Sequence, residues 1–200
     1  TPIPPRTELK LKWEAMINRV YWPLNLSGNH TTKADIAKLL SSQIKKKLTP
    51  PERDVINYKN ALDFITEEWL ITDKNVSPKT ILILHELSCE GHFKDYETNL
   101  RQILNYLQTS SENPIIQAGA AFIHLTNLAP FTQGNDRVAY LTSLLFLYKS
   151  GYDCRGLLAI EEYFRRDITT LEQVSQVSGG NLTRWLEYYA FGVVTQLEKT

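Results

Sequence analysis

The chain has 200 residues, 42% hydrophobic and 22% charged, with 22 basic side chains against 22 acidic ones. That length and balance suit one globular domain, or one domain with a small helical appendage. They exclude a disordered chain and leave no net field to draw the molecule to nucleic acid or membrane lipid.

Taken in order, the elements read as helices. The start, "TPIPPRTELKLK", carries neither Met nor an apolar signal core and reads as the beginning of an excised segment. Leu9, Trp13, Met16, Ile17 and Val20 recur at helical spacing over 8–20. Thr32 and Asp35 resemble a capping box opening "KADIAKLLSSQIKKK", whose lysines read as a solvated helix end. Pro50-Pro51 precedes a helix with Val55, Tyr58, Leu62 and Ile65 on one face. Ser77-Pro78 starts "KTILILHEL", an interruption with Gly91 follows at "CEGHFKDY", and helices resume at 97–108 and after Asn113-Pro114. Gly151 stops the 137–150 helix. Gly179-Gly180 separates 160–176 from 182–198, which Asn181 can cap. Alternating strand patterns are almost absent, so the expected class is all-α, with at most a short hairpin near 89–96. A division into an N-terminal helical segment, 1–50, and a core, 51–200, fits the proline break. No run of about eighteen apolar residues can span a bilayer. Cys89 and Cys154 fit no metal or disulfide spacing, so both are expected reduced and the location cytoplasmic.

Between two apolar helices, "AGAAFIHLTNL" and "VAYLTSLLFLYKSGY", lies the small polar loop "APFTQGNDR", residues 129–137. Gly134 permits a positive φ, and the N–H groups around Gly134 and Asn135 can form an anion nest at a helix expected to start near Asp136 or Arg137. Arg137 could add a bidentate phosphate partner. The plain alternative is a connector in which Asn135 or Asp136 is the N-cap.

The loop resembles the core motif of the Fic family, whose members transfer AMP from ATP to a protein hydroxyl. That motif reads His-Pro-Phe-x-Asp/Glu-Gly-Asn-Gly-Arg-x-x-Arg, and Pro130, Phe131, Gly134, Asn135 and Arg137 match it in register. Flanking segments are similar too: "ERDVINYKNALDFI" and "ILILHELSCEG" upstream, "ENPIIQAGAAFIHLTNL" before the loop, "FLYKSGYDCRGLLAIEEYFRRD" and "NLTRWLEYYAFGVV" after it. Coverage runs from about residue 25 to 197. The resemblance implies a helical Fic-type fold with a flap near 89–96, which in the family holds the target as an added strand. "CEGHFKDYE" lacks a clear strand pattern.

Set against the family, the chemistry is altered. Ala129 stands where the resemblance puts the catalytic histidine, and losing a general base costs about 10²–10⁴ in rate. Gln133 takes the place of the magnesium carboxylate, Asp136 that of the second glycine, and Tyr140 that of the second arginine. An amide is a poorer ligand for a hard cation, and a carboxylate beside the nest repels phosphate. The family's inhibitory segment, Ser-x-x-x-Glu-Gly/Asn, falls on "PLNLSGN", with Pro23 at the serine and Ser27 at the glutamate. An engineered histidine-to-alanine exchange would account for Ala129 alone; degeneration accounts for all five positions. His85 and His124 read as structural, while His30 and His92 lie in loops.

The expectation is a degenerate Fic domain without efficient adenylylation, binding a nucleotide, a phosphate group or a protein partner, and neither nucleic acid nor membrane. No cofactor is required by these residues; ATP with Mg2+ is what the resemblance implies, in weakened form, and no metal site is expected. Two rivals stand beside it: a transferase with a rearranged site using Asp136 as base or metal ligand, and a structural or regulatory module.

Overall fold

Proline and short polar caps set most helix starts. The computed structural model describes residues 4–42, 47–94, 96–176 and 180–199. Among them ten α-helices run in the order α1 Pro5–Leu26, α2 Lys33–Ser41, α3 Pro50–Glu68, α4 Pro78–Ser88, α5 Glu97–Thr109, α6 Pro114–Leu128, α7 Asn135–Lys149, α8 Ile160–Arg166, α9 Ile168–Ser175 and α10 Thr183–Leu197. Pro5, Pro50, Pro78 and Pro114 each open a helix, where the missing N–H has no intrahelical partner to lose. No sheet forms among the described residues, and the all-α reading holds.

Local differences have local causes. Asp35 reaches the Thr32 hydroxyl at 2.7 Å, while Thr32 accepts from the Asp35 N–H at 3.2 Å. Full reciprocal boxes sit instead at Thr49 with Glu52 and at Ser77 with Thr80. Helix α2 ends at Ser41; Lys45 and Lys46 of the basic run, like Gly179, lie outside the described residues. The expected helix 160–176 is two helices, broken at Asp167, whose carboxylate caps α9 through the Thr170 N–H. A 3-10 turn at Cys154–Gly156 has no counterpart in the sequence pattern. In place of a hairpin near 89–96, one antiparallel bridge joins Phe93 to Phe131.

Helices α6 and α7 form the centre, flanked by α3 and α4 on α7 and by α5 and α10 on α6. Gly119 lets α10 close on α6: a Cβ there would sit 2.9 Å from the Tyr189 ring. The Trp185 indole N–H then donates to the Gly119 carbonyl at 2.7 Å. Helices α1 and α2 contribute Val20, Leu24 and Ile36 to this same core. No helix among the described residues is long and apolar enough to cross a membrane.

Candidate functional site

The 129–137 loop joins the two central helices at one end of the core. Ala129 is the residue that ends α6, in the left-handed conformation with φ 44° and ψ 61°. From there the loop is pinned from three sides. Phe131 is fully buried, its ring stacked on the His85 imidazole with centroids 3.8 Å apart and planes 5° apart. Asn135 clasps the loop from below: its Oδ1 accepts from the Phe131 N–H at 2.9 Å, and its Nδ2 donates to the Phe131 carbonyl at 3.0 Å. Residues 92–94 cover the outer edge, with the Lys94 N–H donating to the Pro130 carbonyl and the Thr132 N–H to the His92 carbonyl. The Lys94 ammonium donates to the Ala129 carbonyl at 3.0 Å.

Gly134 is glycine for two reasons: its φ is +77°, and a Cβ would lie 2.2 Å from Cys89 Sγ. It is also the N-cap of α7, which starts at Asn135 rather than at 136 or 137. Neither Asn135 nor Asp136 is therefore the N-cap. Asn135 commits its amide to Phe131, Asp136 sits in the first helical turn, and no side chain caps the helix. Among the described residues no side chain takes the first-turn N–H groups, as an anion nest needs.

The arginine beside that nest is engaged. Arg137 is about 11% exposed along its side chain; Nη2 donates to Asp54 Oδ2 at 2.8 Å and Nη1 to the Ser88 carbonyl at 3.3 Å. Asp54 also accepts from Asn29 Nδ2 at 3.3 Å, tying α3 to the segment after α1. A cleft of ≈360 Å3 opens here, bordered by Ser27, Asn57, Cys89, Gln133, Gly134 and Asp136. Its charged lining is Arg53 and Arg137 against Asp54, Glu90 and Asp136, a local excess of one negative charge. A larger cleft of ≈690 Å3, with His30 and Lys38 in its wall, adjoins it across Ser27 and Arg137.

Other sequence candidates divide clearly. Ser27 and Arg137 face the same cleft, but the Ser27 hydroxyl donates back to the Pro23 carbonyl at 2.9 Å. Tyr140 is buried between Phe122 and Phe164 and borders no part of the loop cleft. His85 is structural as expected, and its Nε2 lies 3.1 Å from the Gln133 carbonyl. Burial pushes its pKa below the usual range, so the ring is neutral and Nε2–H donates. Burial raises the Cys89 thiol, which stays protonated and is no activated nucleophile. His124, half-buried on α6, is held low by the same cause. No group of three or more His, Cys, Asp or Glu is placed to hold a metal among the described residues. Asp54 and Asn29 have no signature in the sequence, because nothing local links residue 54 to residue 137.

Two central helices joined by a loop that turns at Gly134, with Phe93 bridged to Phe131, are the scaffold of a Fic-type domain. The sequence model of the Fic/DOC family matches residues 30–147, and the chain belongs to that family. Its fold is similar to Fic-1 from C. elegans, with TM-score 0.79 at 20% identity, covering 99% of this chain and 66% of that one. A Fic family protein from Desulfovibrio desulfuricans G20 gives TM-score 0.79 at 16% identity over 98% of this chain and 66% of its own. A Fic-domain-containing signaling protein from Bacteroides thetaiotaomicron gives 0.79 at 14% identity, covering 99% and 90%. The chain thus spans just under two thirds of the first two. Among curated proteins no sequence matches it.

Proposed function

We propose that this Fic domain lacks efficient AMP transfer and that its cleft keeps a weak affinity for nucleotide or phosphate. The observation that carries this reading is the setting of Ala129, whose methyl group can take no proton and whose carbonyl holds Lys94. The His85 imidazole is stacked on Phe131 and donates to the Gln133 carbonyl, so its geometry serves the loop rather than a substrate hydroxyl. The residues present fit Mg2+–ATP poorly: an amide at Gln133, a surplus of carboxylate, and an arginine already neutralised by Asp54. What supports residual binding is the uncapped first turn of α7 behind Gly134.

The rearranged-site alternative rests on Asp136, which borders the cleft and could accept a proton there. Incubation with labelled ATP and Mg2+ separates the two. The proposal expects no self-labelling and no transfer to lysate proteins, with weak heat release when ATP is titrated into the chain. Robust labelling abolished by Asp136→Ala overturns it and establishes the rearranged site.

A further inference from the structure

Helix α10 is packed from one side. Trp185, Tyr189, Gly192 and Val193 face the core, and Gly192 lets the helix close on α8, since a Cβ there would lie 2.7 Å from the Tyr163 ring. Away from the core, Phe191 is 64% and Val194 48% exposed. The Phe191 ring meets Tyr163 edge-on, with centroids 6.1 Å apart, and keeps the rest of its surface in water.

The charges at the two ends of this face oppose the field of their own helix. Arg184 lies in the first turn of α10, and Glu198 is its C-cap. A cation near a helix N-terminus and an anion at its C-terminus both work against the macrodipole. Both side chains are exposed, and Lys199, next to Glu198, is taken up by Glu162 at 2.6 Å. Arg184 and Glu198 each lie seven residues from Phe191, in opposite directions along the chain. Seven residues make two turns, about 10.5 Å, so the three share one stripe with a charge of each sign at equal distance from the ring.

We propose that this face of α10 docks a second copy of the chain, antiparallel, with the two-fold axis passing at Phe191. The axis sets Phe191 on its own counterpart, turns Val194 toward Tyr188 of the second copy and brings each Arg184 to Glu198 of the other. It also lays the positive end of one α10 beside the negative end of its mate, so charges misplaced in the single chain are matched in the pair. A 15-residue helix is about 22 Å long, and one face of it is well below the roughly 800 Å2 a side of a standard interface. The dimer is therefore weak, with a dissociation constant on the order of 100 µM. Docking here does not depend on what the Gly134 loop binds.

Sedimentation equilibrium of the full chain, from roughly 10 µM to 1 mM, tests the proposal. A monomer–dimer equilibrium is expected, weakened by roughly tenfold or more in Phe191→Asp. Arg184→Glu and Glu198→Arg should each weaken it by about threefold or more, because each sets like charges opposite one another. The variant carrying both reversals restores the opposite-sign pairs and should return to the native constant. All three positions are exposed, so the variants keep the native fold, which circular dichroism of dilute samples reads directly. Any of three results overturns the proposal: a monomer throughout the range, a dimer indifferent to Phe191→Asp, or charge reversals that fail to rescue each other.

Discussion

Asp54→Asn is the sharpest probe of the loop cleft, because it keeps the side chain's shape while removing the charge that neutralises Arg137. The Asp54–Arg137 contact is 2.8 Å, with the arginine side chain 11% and the aspartate 32% exposed. At that distance and an effective dielectric near 20, the bare Coulomb attraction is about 6 kcal/mol. Solvent at the aspartate and the cost of desolvating both groups reduce this to the range of a charge-assisted hydrogen bond, about 1.5–3 kcal/mol. A phosphate that recruits Arg137 must displace that carboxylate. Removing the carboxylate beforehand returns the same energy to binding, roughly ten- to a hundredfold in affinity for ATP or pyrophosphate. Folding is affected in the opposite direction, since Arg137 exchanges a charged acceptor for a neutral amide oxygen and otherwise keeps the Ser88 carbonyl. A loss of about 1–3 kcal/mol is expected, lowering the melting temperature by roughly 2–10 °C. Calorimetric titration and thermal melting on the same samples read both quantities. Equal nucleotide and pyrophosphate affinity in the native chain and in Asp54→Asn, with the stability loss present, would show that ligands do not use Arg137 and refute the reasoning.

Two further changes test other parts of the molecule. Gly134→Ala meets both a left-handed φ, costing about 1–2 kcal/mol, and the Cys89 sulfur at 2.2 Å. Melting should fall by roughly 10 °C. Adding Cys89→Ala should recover only the steric share, and a single variant as stable as the native chain would contradict the close approach of Cys89 to Gly134. Glu161, raised by burial from 4.5 to about 7, binds its proton more tightly in the folded chain than in the unfolded one. Its stabilising contribution is therefore full below about pH 4.5 and is lost as pH rises through about 7, some 3 kcal/mol in all. Glu161→Gln should gain stability relative to the native chain between pH 5 and pH 8; a difference that stays flat with pH would remove the buried-carboxyl assignment.

Helix starts are legible in the sequence because their causes are local. Ser77 with Pro78 and Asn113 with Pro114 declare themselves within a few residues: Ser77 caps its helix as expected, and the helix after Asn113 starts at Pro114. The break at Asp167 is not legible, since an apolar pattern runs on across a residue whose carboxylate turns to cap the next helix. The interruption near residue 93 can be read from its composition, but its pairing partner cannot, because Phe131 lies 38 residues further along the chain. The sequence pattern places the start of α7 one or two residues late: Asp136 looks like a cap, but Gly134 takes the capping position with its positive φ.

By itself the sequence determined the helical class and the family, since these rest on residue type and short spacing. Only the tertiary structure decided what those residues do to one another. It joined Asp54 to Arg137, laid His85 on Phe131, sent Tyr140 into the core, and left Phe191 exposed on α10. Charge pairing, ring stacking and desolvation depend on distances between helices. No pattern within a helix carries those distances.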